Sequence, residues 1–213
     1  MRLVVVGAGG HGRETLDLAE ALVAAHADIE VLGVVDDGPL DDEARARLQR
    51  RGARLLGPLD ALADLDAVYV VAIGRPGVRA QVVARLDALG AVAAPALVHP
   101  TAVLGADVDL GIGTTVAAGC HLTTNVRIGP HVQINIASIV SHDTTIGRGA
   151  TLSPAVRLNG DVVVGEEAFL GTAAVVVRGH RIGARATVGA GAVVVADVAP
   201  DTTVVGVPAR PIA

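Results

Sequence analysis

Every sixth residue from Val98 to Val194 is aliphatic. The series reads Val98, Leu104, Leu110, Val116, Leu122, Ile128, Ile134, Val140, Ile146, Leu152, Leu158, Val164, Leu170, Val176, Ile182, Val188 and Val194, seventeen positions with none out of register. A period of six matches neither an amphipathic helix nor an alternating strand. It is the pattern of a hexapeptide β-helix, in which each hexad supplies one short strand and one turn. Three hexads close one three-sided lap, so residues eighteen apart stack as neighbours in a parallel sheet. The residue two before each aliphatic is mostly small or β-branched (Ala102, Thr114, Val126, Ala150, Ala168, Ala186), which fits a narrow interior. The residue after it is often glycine (Gly105, Gly111, Gly129, Gly147, Gly165, Gly171, Gly183, Gly189) and is expected to relieve the turn. A prism this narrow buries little surface for the backbone it orders, so association with further copies is expected.

The remaining sequence excludes several classes. Tyr69 and Phe169 are the only aromatic residues, and the net charge is -5 without a basic run, which argues against nucleic acid as a partner. A single cysteine, Cys120, rules out a disulfide framework within the chain and a cysteine-based zinc cluster. No apolar stretch has membrane-spanning length, and the glycine-interrupted opening does not make a signal peptide; a cytoplasmic location is expected.

Before the repeats, strands and helices alternate. Strands are expected at 2–6, 29–35 and 67–73, with a shorter one at 54–56. Helices are expected at 13–25, 41–51, 59–65 and 78–89. This predicts a half-sized Rossmann-like α/β domain over residues 1–95, a left-handed β-helix over 96–199 and a tail over 200–213.

Gly7, Gly9 and Gly12 form G-x-G-x-x-G between the first strand and the first helix, and Asp36 closes the second strand. Such a turn sets phosphate on a helix N-terminus and an acid on a ribose. Fewer than a hundred residues precede the repeats, so the second half of a dinucleotide fold is missing. A nucleoside diphosphate therefore suits the space better than NAD, and a turn without ligand is the third reading. His11 lies in this turn where a ligand would approach, and Asp36 with Asp37 can accept hydrogen bonds from a base or ribose.

His142 stands between Ser141 and Asp143, just after the inward Val140, at a corner of the prism. An imidazole with a carboxylate to orient it is what a general base requires. Counting eighteen onward places Gly160 over His142, where its missing side chain leaves room and its N–H can face an oxyanion. Asn135 takes the place of the usual glycine after Ile134. His99, His121, His131 and His180 read as structural or surface residues. The closest histidine pairs among the repeats are ten and eleven residues apart (His121 to His131, His131 to His142), so no three-histidine zinc site and no metal is expected.

With these motifs in hand the chain resembles, from end to end, the NeuD/PglD family of sugar O- and N-acetyltransferases among the hexapeptide-repeat acyltransferases. The resemblance rests on Gly7-Ala8-Gly9-Gly10-His11-Gly12, Asp36-Asp37, Ala72-Ile73-Gly74-Arg75-Pro76, Val98-His99-Pro100, Ile134-Asn135, Val140-Ser141-His142-Asp143 and Gly206-Val207-Pro208-Ala209-Arg210. It implies a homotrimer with active sites between neighbouring prisms, acetyl-CoA as donor and a nucleotide-linked amino sugar as acceptor. By the same resemblance His142 is the base and Asp143 its acidic partner. Gly9, His11, Asp36, Asp37, Gly74, Asn135 and Gly160 are the substrate contacts. Gly171, Gly189 and Ala190 line the path of CoA, with Pro208 and Arg210 near its adenosine end. Some members carry a second histidine nine residues after the base where this chain has Thr151, and His180 occupies a repeat position that is usually small. Transfer to a sialic acid hydroxyl, a trimeric nucleotide-sugar-binding protein without catalysis, and an NAD enzyme are the rival readings.

Overall fold

The computed structural model describes residues 1–212; Ala213, the last residue of the expected tail, lies outside the described residues. The chain begins with a five-stranded, wholly parallel sheet of β1 (Arg2–Val6), β2 (Glu30–Val35), β3 (Leu55–Gly57), β4 (Val68–Val71) and β5 (Val92–Ala93), in the order β3-β2-β1-β4-β5. Helices α1 (Gly10–Ala24), α2 (Asp42–Arg50) and α3 (Pro76–Ala88) and a short 3-10 helix at Leu59–Asp64 connect the strands. Alternate residues of β1 enter two separate cores: Leu3 and Val5 pack with Leu16 and Ala19 of α1, while Val4 and Val6 pack with Val83 and Leu86 of α3. That is the burial expected of a strand covered on both faces.

Two details differ from expectation. Helix α1 starts at Gly10 and not at 13, so His11 belongs to its first turn. The strand β5 is too short, at two residues, to leave a periodic signal.

From Leu97 onward the chain winds through three sheets, parallel except where Arg210–Pro211 returns antiparallel on Thr203–Val205 at the end. The first face carries the strands at 97–98, 115–116, 133–134, 151–152, 169–170 and 187–188. The second carries 103–104, 121–122, 139–140, 157–158, 175–176 and 193–194. The third carries 108–110, 126–128, 145–146, 163–164 and 181–182. Partners are eighteen residues apart, as in Gln133 with Thr151 and Ile139 with Arg157. Only the last lap is shorter, with Thr187 against Thr203 and Ile182 against Val198. From Val116 to Val194 each aliphatic of the six-residue series is at most 4% exposed, while Leu104 on the open first lap is 37% exposed.

The glycines have a different task from the one the sequence suggested. The residue that turns the corner through a left-handed conformation is the third after the inward aliphatic: Asp107, Asn125, His131, Asp143, Asp161 and Arg185 have φ of 56–60° and carry side chains, while Gly113, Gly119, Gly149, Gly179 and Gly191 hold the same position at other corners. The glycine one place after the aliphatic meets the next lap. A Cβ on Gly129 would lie 2.7 Å from Arg148 N, and one on Gly147 2.7 Å from Glu166 N. Close approach of successive laps, and not corner dihedrals, demands glycine there.

The outer side of the first face is covered by the α/β unit. Thr115, Gln133 and Thr151 are buried there, and Gln133 Nε2 donates to Val71 O at 2.9 Å. Arg79 of α3, 1% exposed, reaches across the junction. It donates to Ile73 O at 2.6 Å, Gln133 Oε1 at 2.9 Å, Ala150 O at 3.1 Å, Thr151 Oγ1 at 2.9 Å and Gly149 O. Burial pushes its pKa down to about 10.

His131, 5% exposed, stacks on Tyr69 across the same junction with 6.2 Å between ring centres. Burial, with help from the Arg148 charge, holds its pKa below the ordinary 6.5, and Asp87 opposes this only in part. As pH falls through 6.5 the unfolded chain takes up a proton that the folded imidazole refuses, so folding stability drops across the window below 6.5 until the lowered pKa is passed. Thermal melts are expected to show a falling Tm between about pH 7 and pH 5, a slope that His131→Phe reduces. An unchanged slope in that variant would mean that other groups set the acid sensitivity.

Candidate active site

The corner between the second and third faces stacks Thr124, His142, Gly160 and Arg178 on successive laps, since the flanking strands pair eighteen residues apart. Asp143, left-handed with φ 60°, folds its carboxylate back onto the ring beside it: His142 Nδ1 lies 2.7 Å from Asp143 Oδ2. Asn125, one lap earlier, donates from Nδ2 to Asp143 Oδ1 at 3.1 Å. The hydrogen bond from His142, and then the one from Asn125, hold the Asp143 carboxyl below the usual carboxylate range. A carboxylate at Nδ1 places the neutral ring's proton there and leaves Nε2 as the free base.

Gly160 is in contact with that free edge. A Cβ at position 160 would lie 2.3 Å from both Nε2 and Cε1 of His142. Among the described residues no carbonyl accepts the Gly160 N–H, so it remains a donor for a ligand. Asn125 was not foreseen, although counting eighteen back from Asp143 reaches it.

The glycine turn is built by close approach. A Cβ on Gly12 would fall 1.9 Å from Gly7 O, and one on Gly7, φ 116°, 2.9 Å from Ala72 O. Gly9 has open space around its Cβ position, caps α1 without a side chain, and leaves the first amides of the helix unpaired. Asp36 accepts from Ala8 N and Gly38 N, both at 2.7 Å, and so ties the turn to the end of β2. Asp37 accepts from Leu59 N at 2.9 Å and pairs with Arg85. Gly74 is open above and gives its carbonyl to Thr151 Oγ1 at 3.0 Å.

Between α1 and the corner joining the first and second faces lies a cavity of about 220 Å³. His11, Glu14, His99, Asn135, Ile136 and Pro154 are among its walls. His11 Nδ1 sits 3.1 Å from Glu14 Oε2, and its Nε2 is buried without a partner. Asn135 donates from Nδ2 to Leu152 O at 2.7 Å, which fixes its amide plane against the coil. His99, read from the sequence as structural or surface, is thus a wall of the cavity; its motif position after Val98 was the available signal.

The predicted residues fall into two groups. His142, Asp143 and Gly160 share one corner. His11 and Asn135 share the cavity at another, with Gly9, Asp36, Asp37 and Gly74 at the ends of the parallel strands beside it. Gly171 and Gly189 lie on the same corner line as Asn135, two and three laps on; a Cβ on Gly171 would lie 2.6 Å from Ala190 N. Pro208 follows a cis bond from Val207, and Ala209 N bonds Val193 O at 2.8 Å, while Arg210 stays exposed. The walls of the cavity do not include His142, Asp143 or Gly160.

Thr151 does not face a ligand, being 2% exposed beneath the α/β unit with Arg79 and Gly74 as partners. His180 pairs with Asp197, Nδ1 to Oδ1 at 3.3 Å, at the shortened last lap. Cys120 is buried, and burial pushes its thiol pKa up, which makes it a poor nucleophile.

Residues 2–86 match the family model described as the PglD N-terminal domain. Among curated proteins none matches. The chain superposes with a TM-score of 0.86 on a histidine-to-asparagine variant of perosamine N-acetyltransferase from Caulobacter crescentus, solved with CoA and GDP-perosamine; identity is 32% over 100% of this chain and 97% of that one. The acetyltransferase domain of PglB from Neisseria gonorrhoeae, solved with acetyl coenzyme A, gives 0.85 at 30% identity over 99% and 98%. WeeI from Acinetobacter baumannii gives 0.85 at 29% over the whole of both chains.

Proposed function

Because the chain belongs to the PglD/NeuD-type family of sugar acetyltransferases, we propose that it transfers an acetyl group from acetyl-CoA to the amine of a nucleotide-linked amino sugar, with His142 as general base. The single observation that carries this reading is the corner at which Asp143 holds the His142 proton on Nδ1 while Gly160 borders the free Nε2.

The sugar amine attacks the thioester carbonyl carbon, and His142 Nε2 takes the proton that the nitrogen sheds. Asp143 stabilises the resulting imidazolium. The carbonyl oxygen becomes an oxyanion facing the Gly160 N–H. Collapse breaks the C–S bond, and the leaving sulfur recovers the proton from the imidazolium. No enzyme-bound acyl intermediate is formed, in keeping with the buried Cys120.

In this reading residues 1–95 hold the nucleotide sugar on the glycine turn, with the α1 N-terminus toward its diphosphate. Residues 96–199 carry the chemistry and the CoA path over Gly171, Gly189 and Ala190, and the tail from 200 brings Pro208 and Arg210 to its far end. A homotrimer completes the site. The second face lies between the two corners and points Val103, Ile139, Val175 and Val193 outward together with His121 and Arg157, and Ile136 beside it is 54% exposed. A neighbour seated on that mostly apolar face would bring its own sugar cavity to the His142 corner.

The test is release of free thiol from acetyl-CoA across uridine, thymidine and guanosine diphosphate 4-amino sugars, alongside thermal shift with each sugar alone. One sugar is expected both to raise Tm and to release thiol. Stabilisation by a sugar with no thiol released from any would instead identify a binding protein without catalysis. No helix among the described residues is long and apolar enough to cross a membrane.

A further inference from the structure

Arg79 lies outside every sequence motif, yet among the described residues it is the only buried arginine. It is 1% exposed, its Nε has no partner, and all its acceptors are neutral. Those acceptors divide between two units. Ile73 O belongs to the loop after β4. Gln133 Oε1, Gly149 O, Ala150 O and Thr151 Oγ1 belong to the coil. Thr151 closes the circuit by donating to Gly74 O at 3.0 Å. A buried guanidinium without a carboxylate is an expensive means of cohesion, since apolar side chains of similar volume join two surfaces equally well. What it adds is a fixed geometry, because its planar fork satisfies several acceptors only in one arrangement.

We propose that Arg79 and Thr151 are positioning residues that hold the 73–75 loop, and with it the glycine turn, at a set distance from the Asn135 wall of the sugar cavity. The proposal rests on the functional reading above. Two further contacts connect the pair to the site. The glycine turn lies against the start of this loop, with only 2.9 Å available for a Cβ on Gly7 before Ala72 O. On the coil side, Gln133 opens the strand Gln133–Ile134 that Asn135 directly follows, and Asn135 bonds Leu152 O next to Thr151. A shift of the loop would therefore open or close the cavity without touching His142, Asp143 or Gly160 on their separate corner.

The consequence is a separation of kinetic constants. Thr151→Val keeps the shape of the side chain and removes its hydrogen bonds. With GDP-perosamine and UDP- and dTDP-linked 4-amino-4,6-dideoxyglucose as probes, this variant is expected to raise the KM for the accepted sugar about tenfold, the weight of one or two hydrogen bonds. Its kcat and its KM for acetyl-CoA should stay within about twofold of wild type. Arg79→Gln should raise the sugar KM further and Arg79→Lys should restore part of the loss. A purely structural role would lower Tm and the active fraction, and hence kcat, with no change in the sugar KM.

An unchanged sugar KM in Thr151→Val, or parallel changes in kcat and both KM values, overturns the proposal. His11→Ala serves as the internal control. If His11→Ala raises the sugar KM while Thr151→Val does not, the joint is wrong and the functional reading stands. If wild type binds none of the sugars, the reading and the joint fall together.

Discussion

His142→Ala is expected to lower kcat at least a hundredfold while the affinity for the nucleotide sugar survives. General-base catalysis is worth about 10²- to 10⁴-fold, and the structure leaves no substitute. His11 is engaged at Nδ1 by Glu14 and His99 by Thr101, His180 is engaged by Asp197, and Asp143 is held in its ionised form by His142 and Asn125. The affinity should persist because the sugar cavity between α1 and Asn135 does not include His142. Steady-state kinetics with calorimetric titration of the sugar separate the two quantities. Near-normal turnover in this variant would remove the mechanism. An equal loss of sugar binding would show that the imidazole holds the acceptor and does not merely deprotonate it.

Gly160→Ala should be nearly as damaging, for a steric reason. Its Cβ would stand 2.3 Å from His142 Nε2 and Cε1, nearer than any two such atoms can approach, and the ring is the part able to give way. Displacing a base by about 1 Å costs on the order of a hundredfold in rate. The coil itself should tolerate the methyl group, because the three atoms nearest that position all belong to the His142 ring. Wild-type-like Tm with turnover reduced about a hundredfold is therefore the expected pair of results. The double variant with His142→Ala should be no slower than His142→Ala alone, since both changes remove one interaction. Normal turnover in Gly160→Ala would mean that the imidazole works turned away from its neighbouring lap.

Much of this geometry was legible in the residues because a coil of constant period converts sequence spacing into position. Eighteen added to His142 reaches Gly160, and the structure has them in contact. Eighteen taken from Asp143 reaches Asn125, which the same count would have found. The glycines were misread because a sequence shows where side chains are missing but not which neighbour excludes them. The laps turned out to crowd them, whereas asparagine, aspartate and even alanine turn the corners. Arg79 left no trace at all. On α3 it sits in an ordinary helical stretch, and its role exists only because that helix is laid on the first face, a contact between segments about seventy residues apart. Thr151 was puzzling for the same reason. Considered along the coil it replaces a histidine, and only the α/β unit above it explains a hydroxyl.

The constant eighteen-residue lap has a further consequence for how such a protein can change. A whole lap duplicated beyond Gly160 would lengthen the prism by about 4.8 Å, one strand spacing, and return every later side chain to the corner it came from. The donor track would grow while the reacting atoms stayed where they were. An insertion of one or two further hexads wound into the coil would carry all that follows onto another face, so the coil itself is extended in register only by whole laps, as a ladder is by whole rungs.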